Sequence, residues 1–466
     1  MMPATFQRRA REYAIPPSIL VEEQIRMQKY MRWSAALFVL MLVLAACQSG
    51  GGSSPSASLD ASEPAESEPA ESEPAESEPA AGEDPTAVCE ADEFGCVEIA
   101  EGDLLEIGSA LVITGENESL GLDSQYGAEV AREMRPEIAG HEVEFNHQDD
   151  GCAPEGGTAA ANALASEESI VAVIGTSCSS AGIPAAEILS GEGIMLVSPS
   201  NTAPSLTSEE SHQPFYARTA HNDKIQGAAM AQFVCEELQL TTAATIDDGS
   251  AYADQLAAVF VEEFQSQCDG TITSEEAVTV GQEDMGPVLE SIGTDSPEFL
   301  YFPVFVAEGA LIAQGAREAT GLEETIIGAA DGVFSPDFLA AAGEDATEGM
   351  YLSGPDLAFS GDFYEADFLP AYREISGEDD PTSVFHAHAY DAYNMLADAI
   401  DEVAIQGDDG TTYIPRTALK DAFFAISDYE GVTGTLTCDE FGDCADARIS
   451  VSQVEGGEFN RIWPEE

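Results

Sequence analysis

The stretch VAVIGTSCSSAGIPAAEIL, residues 171–189, carries the pattern that decides the fold. It opens with a short apolar run, and small polar residues and an Ala-rich amphipathic segment follow directly. An apolar run of this length favours a strand buried on both faces, and the segment after it favours a helix that covers the strand. We therefore predict one strand–loop–helix unit of a parallel sheet here.

The same alternation recurs along most of the chain, and its rhythm restarts after His221. Five further apolar runs share the length and composition of the first: IGSALVI (107–113), IMLVSPS (194–200), AATID (243–247), FLYFPVF (299–305) and TIIGAAD (325–331). Two successive series of βα units predict an α/β protein with two Rossmann-like lobes, each with a parallel sheet, joined by a hinge. The helical segments after Gly354 bring no full new sheet, so they must pack on an existing lobe.

The N-terminal region has the composition of a secretory signal. Lys29 and Arg32 precede the apolar run AALFVLMLVLAA (35–46), which ends at Cys47. The run is too short to span a bilayer comfortably, and its positive, apolar and small-residue order is typical of a cleaved signal. The residues at 44–47, LAAC, resemble a bacterial lipobox, in which the cysteine is acylated and becomes the new N-terminus. A plain signal peptide with an incidental cysteine is the alternative.

Gly, Ser, Pro, Ala and Glu dominate residues 48–85, where SEPAE repeats from Ser62. Such a segment has nothing to bury and stays extended, so it predicts a tether that holds the folded part off the membrane.

The complete predicted organisation is a signal peptide with lipobox at 1–46 (1–26 look like a misassigned start), the tether at 47–88, a small disulfide loop at 89–103, a first lobe at 104–222 and 355–430, and a second lobe at 223–354 and 431–466.

The charge balance excludes several classes of partner. The 466 residues include 16 Lys and Arg against 87 Asp and Glu, a formal net charge of −71. Phosphates would be repelled, so we expect neither nucleic acid nor an anionic membrane surface to bind. A solvated acidic surface suited to a saline setting accounts for the excess more simply than a cation store does.

The cysteines indicate an oxidising compartment. Nine are present, and eight remain once Cys47 is assigned to the lipid anchor. Metal binding is the competing interpretation, but no pair has CxxC spacing or lies beside a histidine cluster. Eight cysteines allow 105 connectivities, and we predict disulfides between neighbours in sequence: Cys89–Cys96, Cys152–Cys178, Cys235–Cys268 and Cys438–Cys444.

Candidate binding residues follow the first-lobe strands. In open parallel sheets, ligands bind beyond the carboxyl ends of the strands, close to helix N-termini. Ser179 lies at the start of the helix that follows VAVIGT, where hydroxyls and free amides suit a carboxylate. Ser200 and Thr202 follow IMLVSPS in the same way. Simple N-capping is the alternative for each of these side chains.

The second lobe offers three more candidates. Tyr252 begins a helix and is placed to cover a ligand, and Phe305 ends its strand, facing either the core or the cleft. Asp331 follows TIIGAA directly, and a carboxylate at a strand's carboxyl end is well placed to take an ammonium group. A turn aspartate before Gly332 is the alternative.

Across most of its length the chain resembles the leucine/isoleucine/valine-binding proteins, within the type I periplasmic solute-binding proteins of ABC transporters. The resemblance runs from about Leu104 to Trp463. It is carried by DDGCAPEGG (149–157), VIGTSCSSAGIPAAEIL (173–189), EGIMLVSPSNTAPSLT (192–207), AYADQLAAVF (251–260), EGALIAQGAREATGL (308–322), HAYDAYNMLADAI (388–400) and GVTGTLTCDEFGD (431–443). In that family the cysteines that correspond to Cys152 and Cys178 form a disulfide.

The resemblance implies specific roles for the candidate residues. Ser179 is the serine that hydrogen-bonds the ligand carboxylate, while Ser200 and Thr202 bind its carboxylate and amine. Tyr252 closes over the ligand from the second lobe. Asp331 takes the place of the family's acidic partner for the α-ammonium group.

Three positions depart from the family pattern. Phe305 stands where some members have tyrosine and offers no hydroxyl. Asp331 is one methylene shorter than the family's glutamate. Leu120, in ENESLGLDSQYG (116–127), stands where the family often has an aromatic residue that lines the side-chain pocket. The resemblance therefore implies the α-amino-acid anchors with an altered side-chain pocket, and a related amino acid, an amide or a small organic acid stays open as ligand.

Enzyme interpretations find little support. There is no GxSxG, P-loop, HExxH or strand-linked GxGxxG motif. His386 and His388 form the best metal candidate, but positions i and i+2 lie on different faces of a helix. The run Asp439–Asp443 resembles a calcium loop only faintly, and in the family it is a hairpin turn. A hydrolase with an unrecognised site stays as a third hypothesis.

We therefore expect a non-enzymatic, monomeric solute-binding protein without a cofactor, exported and lipid-anchored at the periplasmic or outer face of the cell membrane. It would capture a small amino acid, of branched-chain or related type, by closure of two lobes, and deliver it to an ABC permease. The alternative is a ligand-sensing receptor of the same fold for an amide or an organic acid.

Overall fold

The computed structural model describes residues 84–359 and 361–464. In chain order the strands are β1 (Cys96–Ile99), β2 (Leu105–Leu111), β3 (Glu137–Ile138), β4 (His141–Asp149), β5 (Ile170–Gly175), β6 (Met195–Ser198), β7 (Tyr216–Arg218), β8 (Thr242–Asp247), β9 (Thr271–Ala277), β10 (Phe299–Tyr301), β11 (Ile326–Ala329), β12 (Tyr351–Pro355), β13 (Ile405–Gln406), β14 (Thr412–Pro415), β15 (Tyr429–Glu430), β16 (Thr435–Leu436), β17 (Ile449–Glu455) and β18 (Glu458–Trp463).

The helices alternate with these strands. They are α1 (Pro85–Ala91), α2 (Glu118–Met134), α3 (Pro154–Ala165), α4 (Ser179–Gly191), α5 (Asp223–Gln232), α6 (Ala251–Ser266), α7 (Gly286–Gly293), α8 (Val306–Glu318), α9 (Pro336–Ala342), α10 (Glu344–Thr347), α11 (Leu369–Ser376), α12 (His386–Val403) and α13 (Arg416–Phe424). Short π turns at Phe233–Glu237 and Tyr364–Phe368 adjoin α5 and α11, and 3₁₀ turns lie at Pro204–Thr207 and Asp331–Val333.

The first lobe is built on a six-stranded sheet in the order β3-β4-β2-β5-β6-β7. Its strands run parallel, except that β3 pairs antiparallel with β4. Every residue of β5 is buried, as the apolar run that opens VAVIGT predicts for a strand covered on both faces. The second lobe has a seven-stranded sheet in the order β18-β17-β12-β11-β10-β8-β9, parallel from β12 to β9. The prediction of two parallel-sheet α/β lobes is confirmed.

The helices after Gly354 pack on the first lobe. Helix α12 lies against α2, and its Ala389, Tyr393 and Leu396 belong to the same apolar core as Ile107 and Ile174 of the first sheet. These side chains are fully buried. Helices that bring no sheet of their own are stabilised by burying one face on an existing lobe, as expected.

The last boundary between the lobes lies at a different position from the predicted one. We assigned 431–466 to the second lobe, but Leu436 and Cys444 are fully buried in the first-lobe core. Only β17 and β18 join the second sheet, where β17 pairs antiparallel with β12. The segment 431–448 therefore belongs with the first lobe.

A buried arginine explains this placement. Arg218 at the end of β7 is fully buried and forms an ion pair with Asp443. The backbone N–H of Arg218 donates to the Gly442 carbonyl (2.8 Å), and the N–H of Cys444 donates to the Arg218 carbonyl (3.1 Å). A buried guanidinium needs a charged partner, so the loop that carries Asp443 is fixed to the first lobe.

The structure contains all four predicted disulfides: Cys89–Cys96, Cys152–Cys178, Cys235–Cys268 and Cys438–Cys444. The segment predicted as a small disulfide loop at 89–103 holds the end of α1 and strand β1, which pairs with β14. The predicted signal peptide, Cys47 and the tether up to residue 83 lie outside the described residues. Within 84–359 and 361–464, no helix has the length and apolarity needed to cross a membrane.

Candidate ligand-binding cleft

The carboxyl ends of the two parallel sheets meet across a cleft. The lobes touch there directly, because Ser180 Oγ at the start of α4 accepts a hydrogen bond from the N–H of Ala251 (3.0 Å). A second contact joins Gln255 of α6 to Ser205, whose N–H and Oγ lie 2.9 and 3.0 Å from the Gln255 amide. The lobes are therefore closed on one another around the strand-end residues.

Ser179 presents a hydroxyl hydrogen to this cleft. Its Oγ accepts hydrogen bonds from the N–H groups of Thr202 (3.2 Å) and Ala203 (3.1 Å), so both acceptor positions of the oxygen are occupied. The hydroxyl hydrogen has no acceptor within the described residues. Ser179 also begins α4, whose first-turn amides favour an anion. The arrangement suits a carboxylate.

Ser200 contributes differently. Its Oγ donates to the Ser177 carbonyl at 2.7 Å, so the hydroxyl is committed to holding the two strand-end loops together. The Ser200 carbonyl oxygen accepts no hydrogen bond from a described residue, which leaves a backbone acceptor beside Thr202. The nearby disulfide Cys152–Cys178 ties the loop after β4 to the loop after β5.

Asp331 lies opposite, at the carboxyl end of β11. Its Oδ1 accepts hydrogen bonds from Gln226 Nε2 (2.6 Å) and from the Tyr252 hydroxyl (3.0 Å). Its Oδ2 accepts none from the described residues. Burial raises the pKa of Asp331, and nearby His221 together with these two donors limits the rise. One carboxylate oxygen is thus fixed and the other is left for a ligand.

Tyr252 is fixed by the same turn. Its hydroxyl accepts the N–H of Gly332 at 3.1 Å while it donates to Asp331. A Cβ on Gly332 would lie 2.8 Å from the Val304 carbonyl oxygen and 3.0 Å from Tyr252 Cε1, so glycine is needed for this approach. Burial raises the pKa of Tyr252, and the charge of Asp331 raises it further, so the phenol stays protonated as a donor.

Asp223 is a site residue that the sequence analysis missed. It is fully buried at the first position of α5, and its N–H donates to the Thr202 carbonyl (3.0 Å). Neither carboxyl oxygen has a hydrogen-bond partner within the described residues. Burial raises the pKa of Asp223 well above its ordinary value, and the charge of Asp331 raises it further, while Arg218 opposes the rise. The cleft therefore holds two interacting, buried carboxyl groups.

The apolar part of the cleft comes from both lobes. The rings of Tyr252 and Phe305 lie 5.2 Å apart, and Phe305 occupies the N-cap position of α8. Leu120 and Cys178 belong to the same apolar cluster as these rings, and so does Phe385, a residue that the sequence analysis did not single out. Leu120 and Phe305 are each 8% exposed, so both side chains are nearly buried in this cluster.

The structure thus brings together all seven predicted ligand-binding residues. Their roles toward a ligand remain predictions. Asp223 and Gln226 lie in the segment RTAHNDKIQG (218–227), which follows β7 directly. The strand-end rule, applied to this short strand as well, would have found them.

The predicted metal candidate separates into two unrelated histidines. His386 Nδ1 lies 3.1 Å from both carboxyl oxygens of Asp123, and its Nε2 lies 2.7 Å from the Tyr364 hydroxyl. His388 instead lines a small cavity together with His221, and His386 is not among the residues that line it. Among the described residues no cluster of three or more His, Cys, Asp or Glu side chains is arranged to hold a metal ion. In the faint calcium-loop candidate, Asp439 Oδ1 accepts the N–H groups of Phe441 and Asp443, as in a hairpin turn.

Comparison with known proteins gives the same architecture. The family model described as periplasmic binding protein matches residues 105–458. The leucine-, isoleucine-, valine-, threonine- and alanine-binding protein of Pseudomonas aeruginosa is 28% identical over 344 residues, which cover 73% of this chain and 87% of the relative. A leucine binding protein of Thermotoga maritima superposes with a TM-score of 0.69 at 26% identity, covering 77% of this chain and 98% of that one.

Ligand chemistry varies among structures of this fold. A solute-binding protein of an ABC transporter from R. palustris, solved in complex with benzoate, superposes with a TM-score of 0.65 at 20% identity, covering 77% of this chain and 95% of that one. At this identity the likeness shows the fold alone. Amino acids and aromatic acids are thus both ligands of proteins with this architecture.

Proposed function

This chain belongs to the periplasmic binding protein family, and from that premise we propose that it captures a small α-amino acid between its two lobes. The family consists of extracytoplasmic solute-binding proteins, not enzymes. The choice of ligand class depends on the charges inside the cleft.

The pair of buried carboxyl groups carries this proposal. Asp223 and Asp331 interact electrostatically, and both side chains are almost completely shielded from solvent. An ammonium group bound beside this pair would offset the repulsion between the two carboxyl groups and favour their ionised forms. Two unit charges 4 Å apart interact by about 4 kcal/mol at an effective dielectric constant near 20. An aromatic acid without an amino group would bring no such attraction.

The opposite end of the cleft supports the carboxylate of the same ligand. Ser179 has a hydroxyl hydrogen to donate, and the N-terminus of α4 adds a favourable dipole. The two ends of the ligand then contact different lobes, so neither lobe alone satisfies both charged groups. Closure is favoured by a ligand that carries both.

The side chain of the ligand would fill the space between Leu120, Phe305 and Phe385. These residues are apolar and nearly buried, which favours an aliphatic side chain of branched-chain or related type. Phe305 offers no hydroxyl to a polar side chain.

We extend the proposal to the setting of the protein. The relatives support delivery of the ligand to an ABC permease. The chain would act as a monomer. Acylation of Cys47 would anchor the protein to the membrane through the tether at 47–88.

Thermal-shift measurements on the protein test the ligand class. The probes are the twenty amino acids, benzoate, and 4-methylpentanoate, which is leucine without its amino group. At 100 times its Kd a ligand stabilises the fold by about 2.7 kcal/mol. We expect at least one amino acid to raise the melting temperature and neither acid to do so. Stabilisation by benzoate with no response to any amino acid would overturn the proposal.

A further inference from the structure

A buried glutamine links the ammonium end of the cleft to the hinge. Gln226 of α5 is fully buried, and its Nε2 donates to Asp331 Oδ1 (2.6 Å) and to the backbone carbonyl of Ser353 in β12 (3.1 Å). Its Oε1 makes a short hydrogen bond with His221 Nε2. The amide thus lies between a candidate ligand-binding carboxylate and an imidazole.

The acceptors fix the direction of this series of hydrogen bonds. Both acceptors on one side, Asp331 and the Ser353 carbonyl, require the NH₂ group of Gln226. Its carbonyl oxygen therefore points at His221 and can only accept. His221 must donate from Nε2, so a neutral His221 carries its hydrogen on Nε2 and a lone pair on Nδ1. Burial lowers the pKa of His221, although the charge of Asp331 opposes the shift. The lowered pKa favours the neutral ring.

His221 itself lies in the hinge. It lies in the segment that leads from β7 of the first lobe into the second lobe, and it lines a small cavity together with Pro355 and Phe359, where the chain leaves β12, and with Arg448, just before β17. Its ring stacks on Phe385 with 6.2 Å between centroids. The side chain is 2% exposed, and Nδ1 has no partner within the described residues. The histidine therefore lies where these three segments, which connect the two sheets, meet.

We propose that His221 is a positioning residue that orients Gln226 and, through it, the carboxylate of Asp331. With Oδ1 fixed by Gln226 and Tyr252, Oδ2 is the oxygen presented to the ligand. Without the histidine, Gln226 Oε1 loses the donor that anchors that end of the amide, and only the contacts of the NH₂ group with Asp331 and Ser353 hold it. An amide held at one end only would position Asp331 Oδ1 less precisely. The role rests on the proposed function, because it acts through an ammonium-binding Asp331.

The first test examines the hydrogen-bonded series His221–Gln226–Asp331, called the relay below, without any ligand. In protein labelled with ¹⁵N-histidine, ring nitrogen shifts distinguish the two neutral tautomers, and the His221 signals are those lost in His221→Phe. We expect the Nε2–H tautomer at pH 7, and a changed tautomer balance in Gln226→Leu. A His221 ring with its hydrogen on Nδ1 overturns the proposal. If His221→Phe does not fold, the signals that shift in Gln226→Leu identify the ring instead.

The second test separates positioning from general damage. Calorimetric affinity for L-leucine is measured for wild type, His221→Phe, Asp331→Asn and the double variant, with His212→Phe as the control histidine. Loss of one buried hydrogen bond contributes about 0.5–1.5 kcal/mol, so His221→Phe should weaken binding about 2- to 12-fold in the wild-type background and far less in Asp331→Asn. An equal loss in both backgrounds overturns the positioning role.

The two tests also separate failure of the relay from failure of the proposed function. If L-leucine and every other amino acid leave the wild type unaffected, the ligand class is wrong, while the tautomer measurement still decides whether the relay exists.

Discussion

Replacing Asp331 with asparagine probes the ammonium end of the cleft without emptying it. Asparagine has the same shape, and its carbonyl oxygen can still accept the hydrogen bonds that Gln226 and Tyr252 donate at 2.6 and 3.0 Å. The substitution therefore removes a charge and keeps the packing. We expect weaker binding of an amino acid by a free protein that is no less stable than the wild type.

The expected magnitudes follow from the surroundings of the carboxylate. A hydrogen bond to a charged group contributes about 1.5–3 kcal/mol, so its loss should weaken binding about 10- to 150-fold. The effect on the free protein has the opposite sign. The charge of Asp331 raises the pKa of buried Asp223, so Asp331→Asn relieves a repulsion and should leave the melting temperature equal or higher.

Titration calorimetry with L-leucine and a melting curve of the free protein measure the two effects. Asp337→Asn is the matched control, because Asp337 is exposed at the start of α9 in the same lobe and its replacement changes the net charge equally. Unchanged affinity in Asp331→Asn would refute the ammonium role. Equal weakening in both variants would show that only the overall charge matters.

Three further predictions concern closure, pH and salt. Gln255→Ala removes both hydrogen bonds to Ser205 across the cleft, so calorimetry should show L-leucine affinity about 5- to 150-fold lower, and an unchanged affinity would contradict a role in closure. Burial raises the pKa of Asp391 to about 6. The folded state then holds this proton more tightly than the unfolded chain, so as pH rises from about 4 through 6 the stability measured in denaturant melts should fall by about 3 kcal/mol more in the wild type than in Asp391→Asn. Because the net charge is −71, raising NaCl from about 0.1 to 1 M shortens the Debye length from about 10 to 3 Å and should raise the melting temperature; a flat response would show that surface repulsion is unimportant.

The two lobes could be predicted because their strands are buried on both faces. In β5 and β10 every residue is buried, so the sequence there reads as an uninterrupted apolar run, and the polar residues after each run mark the strand ends. The helical segments after Gly354 could be predicted in the same way, and in His386–Val403 the buried residues repeat at helical spacing. Local patterns of this kind need no knowledge of distant contacts.

The parts that escaped prediction depend on contacts far apart in the chain. Asp223 reads as an ordinary acidic residue at a helix start, and only the approach of Asp331 makes it half of a carboxyl pair. Likewise, the loop at 438–444 joins the first lobe because Arg218 is buried beside Asp443, 225 residues away. Neither short-range spacing nor composition contains such pairings.

Closure and ligand choice follow from the same charges. The closed lobes contact each other directly through Ser180 and Gln255, so the protein's own hydrogen bonds already contribute to closing. Closing also shields Asp223 and Asp331 from water, which penalises their ionised forms. A ligand's ammonium group removes that penalty, whereas a ligand without one leaves it in place. Under the proposed function, selection of amino acids over simple acids would therefore follow from charge and would need no steric exclusion.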